Sequence, residues 1–217
     1  MRARHSRQTA KSSDMYLLDQ RNLGFAILAL LGAMVISKWV ATGTILDRPS
    51  GSLLAWTADI YKLMFLLIAN PLAAIGLIAH RLETMDPTHL LISVRWLQQG
   101  LAAGGLLLYA LGCLVLAAAF CMLGRSFRPE GAAPRLDKLM TGGPYRFVRH
   151  PMYTGLLCLS LGLACMTQSL ACFTVFGIYL LLIVRLIDLE EDELRRAYGD
   201  QYRRYQRDVR KLVPRVY

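Results

Sequence analysis

The sequence predicts an all-α, polytopic integral membrane protein. About five transmembrane helices are expected, ending in a helical hairpin and a cytosolic amphipathic C-terminal helix. Three observations predict this. First, long charge-free stretches recur along 217 residues that are 55% hydrophobic and only 18% charged. The mean hydropathy of +0.37 is too apolar for a soluble domain of this length. Second, the basic residues flank the apolar stretches, as cytoplasmic loops and headgroup contacts require. Third, apolar segments 152–167 and 170–187 are separated only by Gln168-Ser169, so they form a hairpin whose open ends share one side.

In chain order, residues 1–22 form a tail with five basic residues (Arg2, Arg4, Arg7, Lys11, Arg21) against Asp14 and Asp19. Either lipid headgroups or plain solvent suits it. Residues 23–123 form a membrane scaffold. Its first span is Leu23–Val40, with Lys38 placed to snorkel, followed by a turn region at Thr42–Ser52. The second runs from Leu53 to Ala79. In it Asp59 and Lys62 share a helical face. The Asn70-Pro71 pair removes a backbone donor in mid-span and predicts a kink, either lining a cavity or packed on neighbours. His80–Gln99 reads as an interfacial segment with a helix start at Asp86-Pro87. Gly100–Leu123 is the third span, and its glycines at 100, 104, 105 and 112 offer small faces for close helix contact.

Residues 124–217 form the third section. Its loop, Gly124–Arg149, carries six basic residues against Glu130 and Asp137. Met152–Thr167 then reaches roughly 24 Å as a helix, short of the ~30 Å hydrocarbon core, and Leu170–Ile187 returns. Asp188–Tyr217 is expected as one surface helix stopped at Pro214, with Leu194, Tyr198, Tyr202, Tyr205, Val209 and Leu212 on its apolar face. Three spans separate the basic loop from the basic N-terminal tail, so the two cannot share a side. Either the tail crosses despite its charge, or the span count is wrong.

Composition also excludes. The net charge of +10 comes without a nucleic-acid-binding signature, and no nucleic acid partner is expected. The five cysteines lie inside apolar stretches with no CxxC pair and no zinc spacing, so no metal is expected. The N-terminus lacks a signal-peptide pattern.

The chemistry-bearing stretch is Gly142–Tyr153, GGPYRFVRHPMY, together with Glu190 and Glu191. Gly142-Gly143-Pro144 allows close backbone approach and fixes a turn. Tyr145 and Tyr153 offer flat faces to an adenine or a sulfonium, the latter attracted by ~0.5–2 kcal/mol. Pro151 opens a helix whose N-terminal amides favour a carboxylate. The acidic pair answers an amine, a ribose diol or a positive sulfur. S-adenosyl-L-methionine carries all of these groups. The same residues also suit a bland role, with Arg149 and His150 on headgroups and the acidic pair bridged to Arg195 and Arg196.

The stretches DKLMTGGPYRFVRHPMY and EEDELRRAYGDQYRRY, followed by a Pro-containing end, resemble the core of the isoprenylcysteine carboxyl methyltransferase family and of the related membrane phospholipid methyltransferases. The resemblance covers about a third of the chain. It implies that Asp137, Lys138, Leu139, Met140, Tyr145, His150, Pro151, Met152, Tyr153 and Glu190 contact the cofactor. It further implies substrate positioning near the acidic pair, for which Arg185, Glu191 and Arg196 are the candidates; Leu186 stands where the family places its arginine. The implied activity is S-adenosylmethionine-dependent methyl transfer to a lipophilic acceptor reached from the bilayer. That acceptor is an isoprenylcysteine-like carboxylate, a phospholipid amine or a small thiol. The cofactor site and C-terminus would face the cytoplasm. Two other readings are a membrane NADPH-dependent reductase of the sterol-reductase kind, whose hairpin also carries an HPxY segment, and a non-enzymatic membrane subunit. Oligomeric state is not legible.

Overall fold

The computed structural model describes residues 19–44, 53–90, 94–124 and 139–214, with the side chains of residues 53–55 and 83 left aside. The basic tail before residue 19, most of the Thr42–Ser52 turn region and the loop charges between 125 and 138 lie outside the described residues.

Helix α1 is Gln20–Thr42, closed by Gly43 in the left-handed conformation (φ 77°). The second span comprises α2 (Leu53–Met64), a π-helical turn (Phe65–Ala69) and α3 (Asn70–Ile78). Then come a short α4 (Leu82–Met85) and the long α5 (Arg95–Leu123). After the loop, α6 (Pro151–Thr167) and α7 (Leu170–Tyr198) form the hairpin, and α8 (Asp200–Asp208) follows Gly199. Among the described residues, four stretches are long and apolar enough to cross a membrane: α1, Trp56–Ile78, α5 and α7, with α6 a shorter apolar helix. The all-α polytopic architecture is therefore as expected.

The glycine-faced third span does its work at two of its four glycines. A Cβ on Gly105 would stand 2.7 Å from the Gly162 carbonyl oxygen, and one on Gly112 would stand 2.6 Å from that of Gly155. The partners run in opposite chain order seven residues apart, so α5 and α6 are antiparallel with their backbones in contact. Gly100 and Gly104 face open space.

The kink at Asn70-Pro71 is a packed one. Asn70 is fully buried, donates its side-chain amide to the Phe65 carbonyl (2.7 Å) and accepts from the Tyr109 hydroxyl (2.7 Å). The π turn shifts the ladder by one residue, with the Asn70 N–H reaching Phe65 O; proline's missing donor is absorbed there.

Two expectations are corrected. Asp86-Pro87 does not start a helix. Asp86 ends α4, and its carboxylate accepts from the Thr88 N–H (2.9 Å) and hydroxyl (2.6 Å), a turn in which the side chain competes with helix. α5 instead begins at Arg95. This turn clamps the hairpin tip: Leu90 N–H donates to Gln168 O (2.8 Å), and Leu170 N–H to Thr88 O (3.1 Å). The C-terminal helix is also not one element from 188 to 214. α7 carries its helix unbroken through the acidic pair to Tyr198, Gly199 at φ 53° breaks it, and α8 ends at Asp208. Beyond that, Val209–Leu212 is drawn out of helix by the loop before α6. Arg149 N–H donates to Arg210 O (2.8 Å) and His150 N–H to Lys211 O (3.1 Å).

The N-terminal end of α1 lies by the C-terminal end of α3, since Gly24 abuts Ala74 and Ile78. That is the hairpin-tip end. The count of three spans between N-terminal tail and basic loop holds.

Candidate active site

At the open end of the hairpin, two carboxylates forty residues downstream return to meet His150. His150 ends the loop, and Pro151 at the first helical position sets the direction of α6. Glu190 and Glu191 lie where α7 leaves its apolar part, Leu170–Ile187. The His150 Nε2 stands 3.3 Å from Glu191 Oε1, and Nδ1 stands 3.6 Å from Glu190 Oε2. The imidazole therefore sits between both carboxylates.

Glu191 is the hub of a buried network. Only 1% of it is exposed. Arg149 donates to Glu191 Oε1 from Nε (2.8 Å) and Nη2 (2.7 Å). Gln206 Nε2 (2.9 Å) and Arg195 Nη2 (3.4 Å) donate to Oε2. The other Arg149 nitrogen, Nη1, donates to the carbonyls of Gln206 and Val209, holding the end of α8. Burial alone would raise the Glu191 carboxyl; the hydrogen bonds and charges of His150 and Arg149 hold it at about 2 instead. Burial alone would lower His150, but the two carboxylates outweigh it and raise the imidazole above its ordinary value.

Glu190 differs from its neighbour. Its side chain is 44% exposed, yet its Oε2 atom is buried and, among the described residues, makes no hydrogen bond, only the 3.6 Å contact with His150 Nδ1. Its charge acts on the hydroxyls of Tyr145 and Tyr153, and Tyr153 stacks on the His150 ring at 5.8 Å and 22°. Burial and the Glu190 charge both raise the Tyr145 phenol. A buried carboxylate oxygen with only a long contact to an imidazole, beside two tyrosines, suits a cationic or hydroxylic ligand. No side chain caps the α6 N-terminus, so its amides suit an anion.

The loop and tail are fastened around this point. Gly142 and the left-handed Gly143 (φ 54°) lie against Met122 of α5, which a Cβ at either position would crowd. The Tyr205 hydroxyl donates to Tyr145 O (2.5 Å), and Leu139, Tyr202 and Tyr205 form a small apolar cluster beneath.

Of the residues named from sequence, Tyr145, His150, Tyr153, Glu190 and Glu191 come together. Pro151 and Met152 open α6 beside them, Leu139 packs on Tyr202 and Tyr205, and the half-buried Met140 follows it. Asp137 and Lys138 lie outside the described residues. Arg185 and Arg196 are exposed on α7 and take no part in the contacts around Glu191. Arg195, not Arg196, bridges to the acidic pair. Sequence reading missed the pairing of Arg149 with Glu191, for which a buried destination across 42 positions leaves no local signal. It also took Tyr202 for apolar facing alone, although its buried hydroxyl has no hydrogen-bond partner among the described residues and feels both carboxylates.

Residues 101–201 match the family model described as Phospholipid methyltransferase. The chain is 34% identical over 115 residues to Protein-S-isoprenylcysteine O-methyltransferase B of Arabidopsis thaliana, covering 52% of this chain and 58% of that protein. It is 33% identical over 112 residues to Methanethiol S-methyltransferase of Pseudomonas deceptionensis, covering 46% and 41%. It is 31% identical over 113 residues to a Probable protein-S-isoprenylcysteine O-methyltransferase of Oryza sativa subsp. indica, covering 51% and 59%. The chain thus spans about half the length of the curated relatives it matches. These matches bear out the resemblance read from the RHPMY and EEDEL segments.

Proposed function

We propose that this relative of the isoprenylcysteine and phospholipid methyltransferases is itself an integral-membrane, S-adenosylmethionine-dependent methyltransferase acting on a lipophilic acceptor. Residues 124–217 form its cofactor-binding core, and residues 23–123 its membrane scaffold. The observation that carries the reading is the buried Glu190 Oε2 at the open end of the hairpin, which among the described residues makes no hydrogen bond and only the 3.6 Å contact with His150, beside Tyr145 and Tyr153. A ligand with a diol or amine for that oxygen, flat or cationic parts for the tyrosines and a carboxylate for the α6 N-terminus fits these residues. Asp137, Lys138, Leu139 and Met140 would extend the same site.

S-adenosylmethionine, when bound, supplies a methyl carbon open to direct displacement. The chain supplies position. Glu191, locked by Arg149 and His150, fixes the hairpin ends relative to the loop, while Glu190 is left to hold the ligand. Aligned reactants alone contribute ~7–11 kcal/mol, so no strong base is needed for a carboxylate or thiolate acceptor. The acceptor enters from the bilayer. The cofactor, being water-soluble, enters from the cytoplasmic face, where the C-terminus also lies.

Titration calorimetry of S-adenosylhomocysteine into the detergent-purified chain tests this. The native protein is expected to bind, and Glu190→Ala and His150→Ala to bind at least tenfold more weakly, with melting curves checking the fold. Unchanged affinity in both variants rejects the site, and NADPH binding in its place would favour the reductase reading.

A further inference from the structure

Helix α8 brings a neutral amide to the carboxylate of the site that is sealed from water. Tyr205 and Gln206 stand three and four positions after Tyr202, so the three share a helix face. Both tyrosines are buried against Leu139, and Gln206 is half-buried beside them. Arg203, Arg204 and Arg207 are exposed on the outward side of the same helix. The Tyr205 hydroxyl, bonded to the Tyr145 carbonyl (2.5 Å), sets the register of the inner face.

Three polar groups of Gln206 are engaged. Its Nε2 donates to Glu191 Oε2 (2.9 Å), its Oε1 accepts from Arg195 Nε (3.2 Å), and its backbone carbonyl accepts from Arg149 Nη1 (3.1 Å). Gln206 is the nearer donor to Oε2, since Arg195 stands at 3.4 Å and also bonds to Asp192. The other oxygen of the same carboxylate meets Arg149 and, at 3.3 Å, His150 Nε2, while His150 Nδ1 faces Glu190 Oε2 at 3.6 Å. Direct contacts thus run from Gln206 through Glu191 and His150 to Glu190.

We infer that Gln206 is a positioning residue of the cofactor site, holding Glu191 so that the His150 ring stays fixed beside Glu190. This rests on the methyltransferase reading and adds to it a residue that acts through two others. The two oxygens of a carboxylate turn as one rigid unit. With Oε2 held by Gln206, Oε1 stays in place for the imidazole. Without that amide, the remaining donor to Oε2 is Arg195 on the exposed side, and Glu191 is drawn toward it and away from His150. A ligand held by Glu190 then meets an imidazole that is free to turn.

The test uses the full chain in lipid nanodiscs. S-adenosylhomocysteine binding is measured by calorimetry, and the His150 titration by NMR of labelled histidine, its signal among four histidines assigned from His150→Gln. Gln206→Met keeps the length of the side chain and loses both of its hydrogen bonds. It is expected to bind about fivefold more weakly and to titrate His150 at a pH lower by about 0.5, because Glu191 no longer holds the ring. Gln206→Glu keeps the shape but sets a carboxylate against Glu191, among Arg149 and His150 of the loop, Arg195 of α7 and the Tyr202 hydroxyl. Its affinity is expected to fall about tenfold at neutral pH and to recover as the pH is lowered and the new carboxyl takes up a proton. Arg204→Gln, on the outward face, should change neither reading. Native affinity in both Gln206 variants, or an unmoved His150 titration in Gln206→Met, overturns the proposal. Should Gln206→Met not fold, the recovery of Gln206→Glu with falling pH decides alone, and its absence overturns the proposal. Failure of the native chain to bind S-adenosylhomocysteine would instead overturn the cofactor reading, while the His150 titration still decides the link from Gln206.

Discussion

At the scale of single residues, Glu191 and Glu190 show how adjacent identical side chains take different tasks. Glu191 is closed in by Arg149, His150, Arg195 and Gln206, whereas the buried Glu190 oxygen has only a 3.6 Å contact with His150 and no hydrogen bond among the described residues. Removing one partner of a buried pair leaves the other charge uncompensated, at a cost of about 3–5 kcal/mol. Arg149→Ala should therefore lower the melting temperature sharply, while Glu190→Gln should leave it nearly unchanged and weaken the ligand. Comparable melting losses in both would contradict the division of roles. The pH dependence follows from the same contacts. Glu191 drops from an ordinary 4.5 to about 2 in the folded state. Its stabilisation, roughly 3 kcal/mol, is full above pH 4.5 and disappears as pH falls toward 2. His150 is raised above 6.5, so its contribution is full below 6.5 and is lost as pH rises through its folded value. Unfolding in detergent as a function of pH should show both flanks, and Glu191→Gln should flatten the acid one; an unaltered acid flank would refute the assignment. The sequence made RHPMY and the acidic pair visible because their residue types are unusual beside apolar runs. It could not tell which carboxylate is buried, since consecutive helix positions point about 100° apart and only the packing of α8 decides which one is covered.

Elements read well wherever their cause was local. The hairpin was legible because Gln168-Ser169 interrupts a long apolar run near its middle, and the structure turns there, with Gln168 left-handed (φ 51°) and Ser169 capping α7 through its hydroxyl. The Asp59–Lys62 pair was legible from its three-residue spacing. Where tertiary contacts compete, the reading failed. Val209–Leu212 continues the apolar period of α8, but the amides of Arg149 and His150 claim the Arg210 and Lys211 carbonyls, so the helix stops at Asp208. The glycines of α5 test how far backbone contact matters. A methyl group at Gly112 would stand 2.6 Å from a carbonyl oxygen of α6, whereas one at Gly104 meets nothing within 4 Å. Gly112→Ala should cost about 1–3 kcal/mol through overpacking, and Gly104→Ala should be neutral or stabilising by up to about 1 kcal/mol through helix propensity. Chemical unfolding in mixed micelles measures both, and equal effects would mean that α5 and α6 do not approach as closely as the glycine pairs require. Asn70→Leu belongs to the same class: it strands the buried Tyr109 hydroxyl, while the Phe65 carbonyl keeps the residue-70 N–H, and should cost about 1–3 kcal/mol in the same unfolding measurement.

For the whole molecule, span count and charge pull in different directions, and the structure decides the first. Antiparallel contacts of α1 with α3 and of α5 with α6 put the 79–90 segment at the hairpin tip, opposite to Arg149, His150 and the acidic pair. The start of α1 lies at the tip end as well, although the sequence before it is basic too. Length and distance explain why charge need not forbid this: bias acts through short loops close to span ends, and the loop after α5 carries the larger excess. The C-terminal tail joins that loop through the pairing of 148–150 with 210–212, so both basic segments commit to one face together. With the native cysteines replaced, a single cysteine at exposed Arg196 should react with an impermeant maleimide only when the cytoplasmic face is open. One at exposed Thr84 should react only from the opposite face. Protection of both on the same side would break the three-span count, and with it the placement of the cofactor end on the water-facing side that supplies a soluble methyl donor.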